Sequence, residues 1–132
     1  MSFATLDSFL AVPHHPDAWD DDGVDHAHAL IAKLDSDGWE TLTTVWGSRP
    51  PQWQAQLASA LFAQPDPRAG ALLSLILRDG TSEGATAAAE ALGASDDWWT
   101  PTRADVEALE RLAKTAHPTF AAWLLRVAAR AR

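Results

Sequence analysis

The chain has 132 residues and a net charge of -8, from 18 acidic and 10 basic side chains, and its size predicts one domain with a single core. It contains no cysteine, which excludes disulfides, iron–sulfur clusters and thiolate zinc sites. No basic residue precedes the N-terminal apolar stretch, and no apolar run approaches the roughly 18 residues that span a bilayer. We therefore expect a soluble, cytoplasmic protein.

The N-terminal residues predict two helices joined by a loop. The first helix covers residues 5–12 and ends at Pro13, because proline cannot continue a helix. Residues 13–23 are predicted to form the loop. Asp21 or Asp22 is then expected to cap a second helix over residues 24–34. Its apolar side follows the spacing i, i+3, i+4, i+7 at Val24, Ala27, His28 and Ile31.

Glycines and prolines divide the middle of the chain into helices. Gly38 is expected to close the second helix or the turn after it. A third helix follows, with an apolar period at Trp39, Leu42, Thr43 and Trp46. Caps and terminators predict three more helices: from Pro51 to before Pro65, from Asp66 and Pro67 to Gly80, and from Thr81 or Ser82 to Gly93.

Two further helices are predicted at the C-terminus. Thr102 and Asp105 have the spacing of a capping box and open a helix that runs to about residue 116. Pro118 begins the last helix, whose apolar stripe consists of Phe120, Trp123, Leu124, Val127 and Ala128. No segment shows the alternating pattern of a half-buried strand. We predict an all-α fold of stacked antiparallel helix pairs, either a HEAT-like helical repeat or an irregular bundle.

A short pattern occurs twice, and its offset supports the helix pairs. Residues 54–61, Gln-Ala-Gln-Leu-Ala-Ser-Ala-Leu, recur 31 residues later as Ala-Thr-Ala-Ala-Ala-Glu-Ala-Leu. This offset is the length of one helical hairpin. The run Ala-Ala-Glu-Ala-Leu-Gly at residues 88–93, with the leucine-rich segment at 68–80, is similar to the helices of HEAT-like repeats. The resemblance covers about residues 39–93. We predict a single domain over residues 1–132, with an acidic part at 1–40 and repeat-like helix pairs over about 39–132.

Seven tryptophans, in a chain without tyrosine, are an unusual feature of the composition. Tryptophan buries a large apolar area in a core, but it is also enriched at binding hot spots. Taken singly, each indole is expected to serve core packing or hairpin anchoring. Trp98 and Trp99 are the exception, because neighbours on a helix point about 100° apart. We expect one of these two indoles at the surface.

The negative charge is concentrated near the N-terminus. Residues 1–40 contain nine acidic residues and only Lys33 as a base, whereas residues 41–132 contain nine acids and nine bases. A concentrated negative field repels nucleic acid and speeds association with a basic partner. The alternative interpretation is a solvated surface that keeps the protein soluble.

One cluster contains metal-ligating residue types. It consists of His14, His15, Asp17, Asp20, Asp21, Asp22, Asp25, His26 and His28. On a helix, His26 and His28 point about 200° apart and cannot hold one ion together. His28 falls on the apolar side and is expected to be a core or hydrogen-bonded histidine. The acidic turns at 20–23 and 35–38 lack the other ligands of a calcium loop. We predict no metal site and no cofactor.

Signatures of catalysis are also missing from the sequence. It contains no phosphate-binding loop, dinucleotide glycine pattern, nucleophile elbow or His-Glu-x-x-His motif. Carboxylate pairs such as Asp96 with Asp97, or Glu107 with Glu110, are not singled out by any pattern. We therefore expect a protein that is not an enzyme.

The small size, acidity, tryptophan content and lack of cysteine also resemble the immunity proteins of bacterial toxin systems. This resemblance implies a stoichiometric inhibitor that covers or distorts the active site of a toxin. We predict a toxin or another basic protein as partner, and neither nucleic acid nor a membrane. The predicted partner-binding residues are Trp19, Asp20, Asp21, Asp22, Asp25, Trp39, Asp96, Asp97, Trp98 and Trp99.

Two alternatives to an inhibitor stay open. One is a helical-repeat scaffold or adaptor domain that holds a regulatory partner. The weaker alternative is a metal-dependent enzyme that uses the cluster at residues 14–28. The oligomeric state is left open by the sequence.

Overall fold

A computed structural model describes residues 3–12, 19–62, 64–95 and 99–131. Across these ranges the chain forms eight α-helices and no strand, which confirms the all-α prediction. In chain order they are α1 (Phe3–Ala11), α2 (Val24–Ala32), α3 (Ser36–Val45), α4 (Pro51–Leu61), α5 (Pro67–Asp79), α6 (Ser82–Gly93), α7 (Arg103–Thr115) and α8 (Pro118–Ala128). Within the described ranges, no helix combines the length and apolar character needed to cross a membrane.

The two copies of the sequence repeat lie side by side, because α4 and α6 share the largest helix–helix contact. At their N-terminal ends, the Gln54 side-chain oxygen accepts a hydrogen bond of 2.9 Å from the Thr81 backbone N–H. At their C-terminal ends, Ser59 and Ala91 line one shallow depression. α4 and α6 therefore run parallel, with α5 antiparallel to both, as in stacked helix pairs.

Leucine, isoleucine and alanine stripes meet in one core. Its fully buried side chains include Leu57, Leu61, Leu72, Leu73, Ile76, Leu92, Leu109 and Leu124. The small residues of α6 allow close packing against α4. A Cβ at Gly84 would lie 2.9 Å from the Cβ of Gln54, which is closer than real Cβ contacts. A larger residue at Gly84 would therefore force α6 and α4 apart.

Most predicted helix starts are confirmed. Asp66 caps α5 by accepting a 2.9 Å hydrogen bond from the Arg68 backbone N–H, and Thr81 caps α6. The capping box is complete, since the Thr102 hydroxyl accepts from the Asp105 N–H and the Asp105 carboxylate accepts from the Thr102 N–H. Proline occupies the first turn of α4, α5 and α8 as predicted.

The entry to α2 and α3 differs from the prediction. A π-helical turn, Trp19–Gly23, leads directly into α2, so the residue before the helix is Gly23 in helical conformation, without a side-chain cap. Neither Asp21 nor Asp22 is the cap. Gly38 does not end a helix but lies in the first turn of α3, where its N–H donates to Asp35 Oδ1 at 2.7 Å. A Cβ at this glycine would lie 2.9 Å from Leu34 Cδ2 and 3.2 Å from Asp35 Oδ1, so a larger residue would require these two side chains to shift.

The acidic N-terminal part is joined to the repeat-like helices by an ion pair. Arg49 donates from Nε and Nη2 to the two carboxylate oxygens of Asp7 at 3.0 and 2.8 Å. The Trp53 indole N–H donates to the same carboxylate at 3.1 Å. The side-chain hydrogen bond to Asp7 raises the pKa of Arg49. α1 is thereby held on α4.

Candidate partner-binding groove

A groove of about 700 Å³ opens between the outer side of α5 and the chain that leads into α7. Its lining residues are Gln64, Pro65, Asp66, Pro67, Gly70, Ala71, Ser74, Trp99, Thr100, Thr102 and Asp105. The volume falls in the range of roughly 300–1,000 Å³ that is typical of ligand sites. We call this feature the Trp99 groove.

Small residues on α5 make room for the groove. Gly70, Ala71 and Ser74 occupy its outer side, whereas the leucines and Ile76 of the same helix enter the core. Trp99 is half-buried, and its indole N–H donates to the Ser74 hydroxyl at 3.3 Å. Because this is the only hydrogen-bonding group of an indole, Trp99 offers a ligand only carbon and π surface.

Two carboxylates border the groove, each at the start of a helix: Asp66 is the N-cap of α5, and Asp105 is the third residue of α7 in its capping box. Asp66 accepts from Arg68 Nε at 3.1 Å and from Nη2 at 2.7 Å. The side-chain hydrogen bond from Arg68 lowers the pKa of Asp66, and a backbone hydrogen bond from the same residue adds to this effect. The carboxylate at the start of α5 is therefore satisfied.

Asp105 at the start of α7 is different, because one of its oxygens is not satisfied. Its side chain is 2% exposed. Oδ2 accepts from the backbone N–H and the hydroxyl of Thr102 at 2.9 and 3.0 Å, whereas Oδ1 accepts no hydrogen bond. Oδ1 lies 3.6 Å from Arg78 Nε, which donates instead to the Ser74 carbonyl. Buried carboxylate oxygens normally have hydrogen-bond partners, so this acceptor is the chemically unusual atom of the groove.

The concave surface continues from the groove toward α3. The loop at residues 64–67 also borders a depression of about 370 Å³ that reaches Leu34 and Trp39. The Arg68 guanidinium lies 5.0 Å from the centre of the Trp39 ring. A further depression of about 310 Å³ extends from these two side chains to Glu40. The Trp99 groove and the outer side of α3 thus belong to one indented surface.

The exposed N-terminal carboxylates include Asp22 in the π-helical turn, Asp25 on α2, and Asp37 and Glu40 on α3. Asp37 and Glu40 line depressions on the outer side of α3. Among the N-terminal acidic residues that the structure describes, only Asp7 forms an ion pair. The negative charge of α2 and α3 is therefore directed to solvent.

The structure separates the predicted site residues into three groups. Trp19 and Trp39 lie in the core, with 9% and 3% exposure, and Trp39 reaches the surface only at the floor of the depressions. Asp22 and Asp25 are exposed, and Trp99 lines the groove. The side chains of Asp20 and Asp21, and the residues Asp96, Asp97 and Trp98, lie outside the described part of the chain.

The helical argument for the tryptophan pair does not hold for Trp99. This residue lies between α6 and α7 in irregular chain, so the angle between neighbours on a helix does not set its direction. Its burial is decided by the contact with α5 through Ser74. The indole is half-buried and remains available from the groove.

The histidine cluster is not assembled into a metal site in the described structure. His28 Nδ1 lies 3.1 Å from the Ala60 carbonyl, which confirms the hydrogen-bonded role predicted for it. His26 packs edge-on against Phe9, with ring centres 4.6 Å apart. No group of three or more His, Asp or Glu side chains among the described residues is placed to hold an ion. His14, His15 and Asp17 lie outside those residues.

Sequence reasoning missed most of the groove. It assigned Asp66 and Asp105 only as caps and gave no role to Gly70, Ala71 and Ser74. The available signal was the outer side of α5, where Gly, Ala and Ser stand at positions that an amphipathic helix usually fills with charged residues.

Comparison of the chain with protein-family models, curated proteins and solved structures finds no match. The site is therefore interpreted from its own chemistry.

Proposed function

We propose that this protein is an immunity or inhibitor protein that binds a basic protein, a bacterial toxin, and neutralises it stoichiometrically. The observation that carries the proposal is the pair of exposed carboxylates on α3, Asp37 and Glu40, which line depressions on the concave surface and form no ion pair among the described residues. Such carboxylates attract a basic protein over a distance of about one Debye length and orient it before contact. The adjacent groove supplies apolar and aromatic surface that can hold the partner after contact.

The helical scaffold also supports a binding role. The surface is built on helices whose starts are capped and whose inner sides share one core. A preorganised surface loses little conformational entropy when it binds, which favours tight association. The same negative field opposes nucleic acid, whose phosphates carry like charge.

Coexpression tests the function directly. The product of the gene adjacent to the gene for this protein is expressed alone and together with this protein. We expect growth arrest by the first product alone, restored growth with both, and a 1:1 complex by analytical ultracentrifugation. The proposal fails if the two proteins form no complex, or if growth arrest persists when both are present at equal levels.

A charge-matched pair of variants tests the surface. The acidic variant carries Asp22→Asn, Asp25→Asn, Asp37→Asn and Glu40→Gln. The control neutralises four other exposed carboxylates, with Asp79→Asn, Glu83→Gln, Glu90→Gln and Glu110→Gln. Both variants change the net charge equally. We expect the acidic variant to slow association by about tenfold at low ionic strength and to reduce its salt dependence, measured by stopped-flow mixing. Equal slowing by the control would place the interface elsewhere.

A further inference from the structure

We propose that the Trp99 groove receives a single lysine or arginine side chain of the partner. This inference rests on the proposed function, because it assigns the occupant of a surface that we place at the interface. It is carried by three features of the groove: an acceptor without a donor, an indole whose polar atom is already used, and small apolar walls. Each of these features selects a different part of the occupant.

The electrostatics of the groove favour a cation. Oδ1 of Asp105 is buried and accepts no hydrogen bond, and its ion pair with Arg78 is long at 3.6 Å. Because this oxygen is buried, a cation in the groove interacts with the Asp105 carboxylate through its charge and not through a direct hydrogen bond to Oδ1. An ammonium or guanidinium group supplies that charge.

An anion is disfavoured as occupant although two helix N-termini border the groove. Helix N-termini bind anions through free backbone N–H groups. Here the N-terminus of α5 is capped by Asp66, and the N-terminus of α7 is capped by the Thr102 hydroxyl within the capping box. Two carboxylates at these positions would repel a phosphate or a carboxylate.

The remaining surface suits an aliphatic stem. Pro65, Pro67 and Ala71 supply apolar walls, and the Trp99 ring supplies π surface. Lysine and arginine bury their methylene stems along apolar surface, and arginine also stacks on indole rings. A basic side chain therefore matches the groove along its whole length.

Agmatine, which carries a guanidinium and an ammonium at the two ends of a four-carbon chain, is the probe for the isolated groove. Binding is followed by the indole N–H signals in ¹⁵N–¹H NMR spectra, with the Trp99 signal assigned by its loss in a Trp99→Phe variant. We expect a saturable shift of this signal, with a dissociation constant on the order of millimolar. n-Butylurea, which has a similar length and N–H donors but no charge, should bind at least about fivefold more weakly.

Two variants and their controls test the assignment of residues. Asp105→Asn retains a carbonyl oxygen for the cap of α7 but removes the charge, and Ala71→Leu fills the groove without changing charge. The controls are Glu110→Gln on the same helix and Ala122→Leu on α8, both at exposed positions. Circular dichroism checks that each variant is folded. We expect Asp105→Asn and Ala71→Leu to weaken agmatine binding by about fivefold to tenfold, and the controls to leave it unchanged.

Three outcomes would overturn the inference: no saturable shift of the Trp99 signal, equal binding of n-butylurea, or equal effects of Asp105→Asn and Glu110→Gln. Its failure is distinguishable from failure of the proposed function. If the protein neutralises the neighbouring gene product, but the Asp105→Asn and Ala71→Leu variants bind that product like the parent, only the groove assignment is wrong. If agmatine binds as expected while no toxin is neutralised, only the function is wrong.

Discussion

Replacing the buried Gln54 by leucine should destabilise the fold, although a leucine is ordinarily favourable at a buried position. The side chain is 1% exposed and connects two parts of the chain. Its amide nitrogen donates to the Arg49 carbonyl at 3.0 Å, and its oxygen accepts from the Thr81 backbone N–H at 2.9 Å. Weaker hydrogen bonds reach the Trp46 carbonyl and the Thr81 hydroxyl. Leucine fills a similar volume but removes the partner of the Arg49 carbonyl and of the Thr81 N–H.

The expected cost follows from the two shorter hydrogen bonds. Each half-buried backbone group that loses its partner lowers the free energy of unfolding by about 1–3 kcal/mol. Burial of the apolar leucine side chain offsets part of the combined loss from the two groups. We therefore expect Gln54→Leu to lower the free energy of unfolding by about 2–4 kcal/mol. Urea denaturation followed by circular dichroism measures this value.

Two other glutamines of α4 serve as graded controls. Gln56 is buried and donates to the Leu10 carbonyl at 3.2 Å, whereas Gln52 is exposed. We expect Gln56→Leu to cost about 1–2 kcal/mol and Gln52→Leu to stay within about 0.5 kcal/mol of the parent. The reasoning is refuted if Gln54→Leu lowers the free energy of unfolding no more than Gln52→Leu does. In that case, the hydrogen bonds from Gln54 to Arg49 and Thr81 do not contribute to stability.

Three further predictions concern other contacts. Gly93→Ala should lower the free energy of unfolding, measured by urea denaturation, by about 1–3 kcal/mol, because the new Cβ would lie closer than 3.0 Å to the Trp123 ring. Adding Trp123→Leu to this variant should recover part of the lost stability. Asp7→Asn removes the ion pair that holds α1, so it should lower the free energy of unfolding by about 1–2 kcal/mol. Amide hydrogen exchange should accelerate more in α1 than in α8, and an equal change in both helices would contradict this. In Arg68→Gln the pKa of Asp66 should rise toward its ordinary value, as seen by ¹³C NMR of the carboxyl group. Because folding lowers this pKa, the pair stabilises the fold above the ordinary pKa of Asp66, and that contribution is lost as pH falls through the folded value; an unchanged titration would refute the role of Arg68.

The helices were predictable because their signals are local. A cap and the N–H that it accepts from lie within three residues, as for Asp66, Thr81 and Thr102, so the sequence contains both partners of the interaction. The 31-residue offset also predicted helix pairs, and its two copies lie in contact as α4 and α6. The apolar stripe at helical spacing identified the inner side of α8 for the same reason, and its Leu124, Val127 and Ala128 are buried.

The sequence by itself therefore determined the helical class and most helix starts, whereas the predicted inner sides were only partly right: Thr43 of the α3 period is exposed, and Leu30, outside the predicted α2 stripe, is buried. Only the tertiary structure decided the burial of Trp19 and Trp39 and the Trp99 groove. The groove combines the outer side of α5 with a segment about 30 residues later. Its depth arises because α5 has small residues there, Gly70, Ala71 and Ser74, in place of large side chains. Such a feature depends on how helices pack over long separations along the chain, and local propensity contains no information about that packing.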